Sequence, residues 1–170
     1  VVGWPTNALG AANLPPDLTN IVEISAGSFH GMALHKNGKV SAWGNNGDGQ
    51  AKVPDGLSNV VSVSAGEWSC EALLADGRIK AWGDVLGLPF ASISNSEAIS
   101  GMRPAAILRG GNIARVYYHY LIPEWITGKS NFIAIASGVS LVALDSAGDV
   151  FDDTSLFEGR ENSPTPPKQC

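Results

Sequence analysis

The chain has 170 residues, 44% of them hydrophobic and 16% charged, and this balance predicts a globular protein and not a disordered one. The net charge of −5 argues against nucleic acid as a partner, because phosphate binding needs clustered lysine and arginine. No apolar run reaches the length of a membrane span, so we expect no membrane contact. The first residues lack the charged and then apolar pattern of a signal peptide.

A period of 39 residues runs through the first half of the chain. Tryptophan recurs at this interval at Trp4, Trp43 and Trp82, and glycine recurs at Gly27 and Gly66. A fixed period of this size indicates a supersecondary unit that buries its apolar face only by stacking on copies of itself. Because repeat surfaces mostly bind other molecules, the period favours a binding protein.

We assign four repeat units to a domain that spans residues 1–151, and the last two are degenerate. Their bounds are about 1–40, 41–79, 80–116 and 117–151, with one marker glycine in each: Gly27, Gly66, Gly101 and Gly138. In the third unit the tryptophan is lost, and its place falls near Val116 and Tyr117. Residues 152–170 form a proline-rich polar tail, which we interpret as a linker or a disordered end.

Each unit follows one local plan. An alternating run such as 61–64 predicts a strand with one buried face, and an Ala-Gly corner follows it. A second strand then leads to the dipeptide Asn37-Gly38 or Asp76-Gly77, which predicts a two-residue type I′ hairpin turn before a closing strand. Residues 114–125 fit either a strand or a short insertion. The predicted fold is all-β, with about four antiparallel sheets of three to four strands arranged as blades of an incomplete β-propeller.

Three segments carry a family resemblance. Residues 26–34 (Ala-Gly-Ser-Phe-His-Gly-Met-Ala-Leu), 37–44 (Asn-Gly-Lys-Val-Ser-Ala-Trp-Gly) and 46–50 (Asn-Gly-Asp-Gly-Gln) resemble the regulator of chromosome condensation repeat family. Residues 54–59 (Pro-Asp-Gly-Leu-Ser-Asn) are similar to bacterial members, a group that includes propeller-type β-lactamase inhibitor proteins. The resemblance covers residues 1–83 well and 84–151 weakly.

The resemblance implies a β-propeller and, through its bacterial members, a secreted or periplasmic location. Family propellers usually close with seven blades, which at this period needs roughly 260 residues. The chain is therefore interpreted as a fragment, as half of an assembled ring or as an unusually small closure. Since open sheets invite pairing, we expect self-association or a missing remainder of the protein.

Candidate partner-binding residues follow the corner glycines, where the repeats vary. Repeat proteins keep the scaffold and vary the loops of one face, so we predict that a rim containing Phe29, Glu67, Trp68 and Arg103 binds another protein. The resemblance to inhibitor-like propellers also implies that aromatic residues of one rim contact the partner. The alternative is that Phe29 and Trp68 pack between blades.

A second aromatic cluster surrounds His119 and comprises Tyr117, Tyr118, Tyr120 and Trp125, with Tyr118, Tyr120 and Trp125 as the candidate glycan-binding residues. Aromatic faces beside polar groups suit sugars, so a carbohydrate-binding module is the alternative function. The same residues equally fit the degenerate closing strand of the third unit followed by a crossover, or a patch that covers an exposed sheet edge.

No nucleophile, phosphate-binding or zinc motif occurs in the sequence, so we expect no catalytic residue, no cofactor and no metal site. We interpret three carboxylates, Glu67, Glu71 and Asp76, as surface charges. We interpret residues 45–49 as a turn, because they lack the acidic ligands of a calcium loop. The family resemblance implies that His30 is a hydrogen-bonded structural residue. Cys70 and Cys170 are expected to be free thiols, and a disulfide between them is the alternative.

Overall fold

The computed structural model describes residues 13–85, 93–101, 105–117, 120–122, 131–137 and 141–152. Across these ranges the regular structure is entirely β, with no helix, and the all-β prediction is confirmed. No helix that could cross a membrane is found in the part of the chain that is described. The strands are β1 (Ile21–Ala26), β2 (His30–His35), β3 (Val40–Gly44), β4 (Val60–Ala65), β5 (Ser69–Leu74), β6 (Ile79–Gly83), β7 (Ser96–Ser100), β8 (Ala105–Leu108), β9 (Asn112–Tyr117), β10 (Tyr120–Ile122), β11 (Phe132–Ser137), β12 (Leu141–Asp145) and β13 (Val150–Asp152).

The strands form four antiparallel sheets, which we call blades 1 to 4. Blade 1 is β1-β2-β3, blade 2 is β4-β5-β6, blade 3 is β7-β8-β9-β10 and blade 4 is β11-β12-β13. The predicted three to four strands per sheet are therefore confirmed. The fourth strand of blade 3 comes from the ambiguous stretch 114–125, part of which pairs as β10 on β9. Val116 lies level with Trp43 and Trp82 in the strand register, as the sequence predicts.

The hairpin turns are placed correctly by the sequence, but the predicted type I′ geometry is wrong. Gly38 has a φ of 77°, whereas Asn37 is not among the described residues with a positive φ. The Gly38 amide donates to the His35 carbonyl at 2.9 Å, and the His35 amide donates to the Lys39 carbonyl at 2.8 Å. This is a three-residue loop that ends in a left-handed glycine. The loop forms because the Asn37 side chain accepts the Lys39 amide at 3.1 Å, which stabilises a right-handed Asn37.

In each blade one asparagine directly precedes the first strand and adopts the left-handed conformation. Asparagine tolerates this conformation better than most residues. The four are Asn20, Asn59, Asn95 and Asn131, with φ values of 54°, 57°, 60° and 69°. The carbonyl of each asparagine accepts an amide from its own blade's hairpin turn, as in Ala75 to Asn59 at 2.9 Å. These bonds hold the start of the first strand against the turn.

The turn of one blade is also bound to the next blade. The Gly38 carbonyl accepts the Val60 amide at 3.3 Å, and the Gly77 carbonyl accepts the Ser96 amide at 2.9 Å. Gly111 accepts the Phe132 amide in the same way at 3.1 Å. A side chain at Gly77 would lie 2.9 Å from the Asn95 Cα, so the turn glycine also allows the close approach. We call these contacts the turn clasps.

Blades stack through two different faces. The forward face points toward the next blade along the chain, and the backward face toward the previous one. In the first core cluster Met32 and Leu34 of blade 1 pack on Val63 and Trp82 of blade 2. The next two clusters repeat this arrangement, with Leu73 and other forward residues of blade 2 on blade 3, and those of blade 3 on blade 4. The apolar core therefore lies between blades.

First strands of successive blades lie beside one another, which places β1, β4, β7 and β11 on the inner side. The Ser25 hydroxyl accepts the Ala65 amide at 2.9 Å, and Ser100 accepts the Ser137 amide at 2.7 Å. The corner glycines lie at this close approach. A side chain on Gly27 would overlap the Gly66 carbonyl oxygen, and one on Gly66 would lie 2.8 Å from the Gly101 carbonyl oxygen. Glycine at the corners therefore permits the close approach of successive backbones.

Candidate protein-binding rim and adjacent buried polar residues

The corner loops and the ends of the closing strands share one rim of the blades. The Phe29 carbonyl accepts the Asn45 amide at 2.9 Å, and the Trp68 carbonyl accepts the Asp84 amide at 3.0 Å. A positive φ at Gly44 (98°) and Gly83 (88°) turns the chain so that these bonds can form. The backbones of Phe29 and Trp68 are therefore fixed by the scaffold.

The side chains of Phe29 and Trp68 contact each other across the boundary between blades 1 and 2. Their ring centroids are 5.2 Å apart, with the planes inclined at 37°. Both residues are half-buried, and Glu67, beside Trp68, is exposed. The pair thus combines packing between blades with an exposed aromatic surface on the rim. Arg103, the fourth candidate, lies outside the described residues.

Gln50 anchors the loop that leaves blade 1 at this rim, and the sequence analysis did not single it out. It is fully buried, and its carbonyl accepts the Trp82 indole N–H at 3.0 Å and the Cys70 thiol at 3.2 Å. Its side-chain oxygen accepts the Asp48 amide at 2.9 Å. Gln50, at the end of the segment 46–50, therefore fills the space beneath the rim and fixes the loop to blade 2. We call this buried residue the Gln50 plug. The residues 45–51 form a turn with asparagine caps, since Asn45 and Asn46 accept the Gly47 and Ala51 amides.

Glu71 is not a surface charge, and that prediction is wrong. It is 1% exposed, because the strand register places it level with Met32, on the forward face that packs against the next blade. Its Oε1 accepts the Ser69 hydroxyl at 2.7 Å, and its Oε2 has no hydrogen-bond partner among the described residues. Burial raises the pKa of Glu71 to about 8, although the Ser69 hydrogen bond acts in the opposite direction. The carboxyl is thus protonated at neutral pH. Glu67 and Asp76, in contrast, are exposed as expected.

His30 is the first residue of β2, next to the corner of blade 1, and is 1% exposed. Burial lowers its pKa by disfavouring the imidazolium, an effect that the Ser69 backbone partly offsets. Neither ring nitrogen has a hydrogen bond of good geometry within the described ranges. Its ring fills the space where a side chain on Gly27 would lie. A structural role therefore fits its burial, and the backbone of Ser69 is the hydrogen-bonding group that acts on its ring.

An open groove of about 310 Å³ lies on the opposite rim, beside the hairpin turn of blade 2. Its lining includes Leu57, Leu74, Asp76 and Arg78. The two charged residues of the lining already pair with each other at 2.7 Å, and both are largely exposed. The groove therefore presents no buried charge to a ligand.

The structure describes only part of the predicted sugar-binding cluster and one of the two cysteines. Tyr118 and Trp125 lie outside the described residues, and of Tyr120 only the backbone, at the start of β10, is described. The sugar-binding cluster thus stays a prediction. Cys70 is a buried free thiol whose pKa is raised by burial and by nearby Glu71, while Cys170 is outside the described part. Within the described ranges no group of three or more metal-ligating side chains comes together.

The four antiparallel sheets resemble blades of a β-propeller, and one segment of the chain also matches a repeat family. Residues 21–50 match the family model for the Regulator of chromosome condensation (RCC1) repeat. This segment comprises all of blade 1 and the loop that ends at Gln50. A search of the curated proteins found no match.

Solved structures show the same fold over most of the chain. Prp20p from Saccharomyces cerevisiae is 20% identical with a TM-score of 0.63, over 81% of this chain and 46% of that one. Yeast RCC1 (Prp20) bound to Kap60 is 19% identical with a TM-score of 0.62, over 82% and 45%. Human WBSCR16 is 18% identical with a TM-score of 0.60, over 78% and 46%. The chain therefore spans about half the length of the structures it matches.

Proposed function

We propose that this chain is a non-catalytic module that binds another protein through the rim formed by Phe29, Glu67, Trp68 and Arg103. The observation that carries the proposal is the aromatic pair of Phe29 and Trp68, which is half-buried on a fixed backbone. Rigid aromatic side chains with residual exposure make good interface anchors, since little conformational entropy is lost when a partner covers them. The exposed Glu67 carboxylate beside the pair supplies a polar edge.

Relatives with this fold support a protein as the partner class. Yeast RCC1 (Prp20) has been solved bound to Kap60, and Prp20p has been studied for its binding to Gsp1p and histones. By analogy of fold, the partner of this chain is a protein that recognises one face of the propeller. The finer likeness to bacterial propeller inhibitors rests on residues 54–59 alone and makes an enzyme the first partner class to test. The same likeness favours a secreted or periplasmic location.

A non-catalytic role is consistent with the buried polar residues near the rim. Glu71 is protonated at neutral pH and closed to solvent, and the His30 ring is enclosed at the corner of blade 1. Neither residue reaches a solvent-filled site where a substrate could meet it. We therefore assign both to the scaffold.

The test compares the proteins captured by wild-type chain and by the Phe29→Ala/Trp68→Ala double variant. Each captured protein is purified, and its affinity for both forms is measured by calorimetry. We expect the double variant to weaken binding by about 100-fold or more, because hot-spot aromatics typically contribute at least 2 kcal/mol each. Val61→Ala is the matched control, since Val61 is an exposed apolar residue within blade 2 and away from the corner loops.

Thermal unfolding must show that the double variant keeps its fold. Equal affinity of both forms for every captured protein would refute the rim as the binding site. The sugar-binding alternative is tested in parallel on a glycan array. Binding that free sugar competes, and that Trp125→Ala but not Trp68→Ala removes, would replace the protein-binding proposal.

A further inference from the structure

The first and last blades expose faces that are buried wherever one blade follows another. Ile24 on the backward face of blade 1 is 62% exposed, whereas Val63 at the same register position in blade 2 is 3% exposed. Val150 on the forward face of blade 4 is 68% exposed, whereas the equivalent Ile79 and Ile113 are 7% and 5% exposed. At both positions a β-branched aliphatic residue is thus covered, fully or in part, when a neighbouring blade packs on it, and exposed when none does.

Exposure alone does not mark these faces, as another repeated position shows. Val22, Val61 and Ile133 are equivalent, and they are 59%, 53% and 60% exposed. Because Val61 belongs to an internal blade, exposure at this position is intrinsic to every blade. Ile24 and Val150 differ in that their equivalents become buried by stacking. Val142, also on the forward face of blade 4, follows the same rule: it is 40% exposed where Met32 is fully buried.

We propose that the forward face of blade 4 packs on the backward face of blade 1 of a second copy of this chain, so that two copies close a ring head to tail. The three interfaces between blades within the chain already join a forward face to a backward face. The two exposed faces are therefore complementary to each other and not to themselves. A heterologous contact of this kind forms a closed ring when the rotation permits.

The stacking of blades supports a second copy as the occupant, because a second copy presents the same two faces that this chain leaves exposed. The chain matches 45% to 46% of the length of the full propeller proteins, so two copies supply about nine-tenths of that length. Each copy would bring four blades, and each would meet the other through the same two faces. This arrangement does not depend on the proposed rim, which lies at the ends of the strands and not on the sheet faces.

Light scattering after size exclusion, from about 1 to 100 μM, measures the mass of the 170-residue chain. We expect twice the monomer mass of 17.7 kDa. Ile24→Glu and Val150→Glu should each weaken dimerisation by about 100-fold or more, because the ring would bury an unpaired carboxylate. Val61→Glu is the control and should leave the dimer intact. All three sites are exposed in the monomer, so circular dichroism should show the same fold for each variant.

Mixing the two defective variants separates the proposed geometry from other dimers. An Ile24→Glu chain and a Val150→Glu chain still share one intact pair of faces, so native mass spectrometry of the mixture should show a heterodimer that neither variant forms alone. A wild-type chain that stays monomeric at 100 μM would overturn the proposal and point to further blades of a longer polypeptide as the covering element. A dimer that Ile24→Glu abolishes and Val150→Glu leaves intact would also overturn the proposal, since that result indicates head-to-head pairing. Open polymers of increasing mass would overturn the closed ring.

Discussion

The Ser69 hydroxyl donates to Oε1 of Glu71 at 2.7 Å, and within the described ranges Oε2 of the same carboxyl has no hydrogen-bond partner. The bond stabilises the ionised form, but burial has the larger effect and raises the pKa of Glu71 to about 8. The folded protein therefore retains a proton that the unfolded chain releases near the ordinary value of 4.5.

Because the folded state binds more protons at Glu71 across this window, the contribution of Glu71 to stability falls as pH rises from about 4.5 toward 8. For this one carboxyl the unfolding free energy falls by at most about 1.4 kcal/mol per pH unit. We expect Glu71→Gln, which keeps the shape and stays neutral, to flatten this dependence and to raise the urea midpoint at pH 8. Glu67→Gln is the exposed control and should leave the pH profile unchanged. Identical pH dependence of the urea midpoint in wild type and Glu71→Gln between pH 5 and pH 8 would contradict the buried neutral carboxyl.

Substitution of a corner glycine should test the close approach of adjacent blades. A Cβ at position 66 would lie 2.5 Å from Ser69 Oγ and 2.8 Å from the Gly101 carbonyl oxygen. Since the backbone of blade 3 cannot yield cheaply, Gly66→Ala should destabilise the fold by about 2 kcal/mol or more. Gly47→Ala serves as the control, because the nearest atom to its Cβ is 3.4 Å away. The measurement is the free energy of unfolding in urea, and equal values for the two variants would refute the contact.

The left-handed asparagines predict an order among substitutions at one position. Asn59 has a φ of 57°, a conformation that costs an alanine roughly 1 kcal/mol and a glycine very little. We therefore expect Asn59→Ala to lower stability by about 1 kcal/mol and Asn59→Gly to remain close to wild type. Thermal unfolding of the three proteins gives the order. A result in which glycine is the more damaging would show that the side chain of Asn59, and not its backbone, matters.

Substitution of Trp82 should test how the loop that ends at Gln50 is held on blade 2. Its indole N–H donates to the Gln50 carbonyl at 3.0 Å, and the side chain is 7% exposed. Trp82→Phe removes this hydrogen bond and leaves a void, so a loss of about 2 kcal/mol in unfolding free energy is expected. Hydrogen exchange should show faster exchange at residues 46–52 in the variant. Unchanged exchange there would mean that the loop is held independently of Trp82.

The fold was predictable because the repeat is written directly in the sequence. The 39-residue period located the blades, and Asn-Gly or Asp-Gly located the hairpins. The turn type was missed because that dipeptide occurs both in two-residue loops and at the end of three-residue loops. Only the pairing of His35 with Lys39 distinguishes the two.

The environment of Glu71 was missed for a different reason. Acidic residues are seldom buried, so its type suggested the surface. The strand register contains the missing signal, because its equivalents Met32 and Ala105 are buried. The alanines at the next position were a second signal: Ala33, Ala72, Ala106 and Ala143 are all buried at one register position. For the rim, the sequence brought Phe29 and Trp68 to equivalent places but gave no indication that their rings touch.

The turn clasps give the fold a direction. In blades 1 to 3 the turn glycine offers its carbonyl to an amide that comes later in the chain: Gly38 to Val60, Gly77 to Ser96 and Gly111 to Phe132. During synthesis, a blade whose own three strands have emerged still lacks this bond until the first strand of its successor leaves the ribosome. Assembly should therefore proceed as a relay from the amino-terminal end, in which every new strand secures the blade made before it.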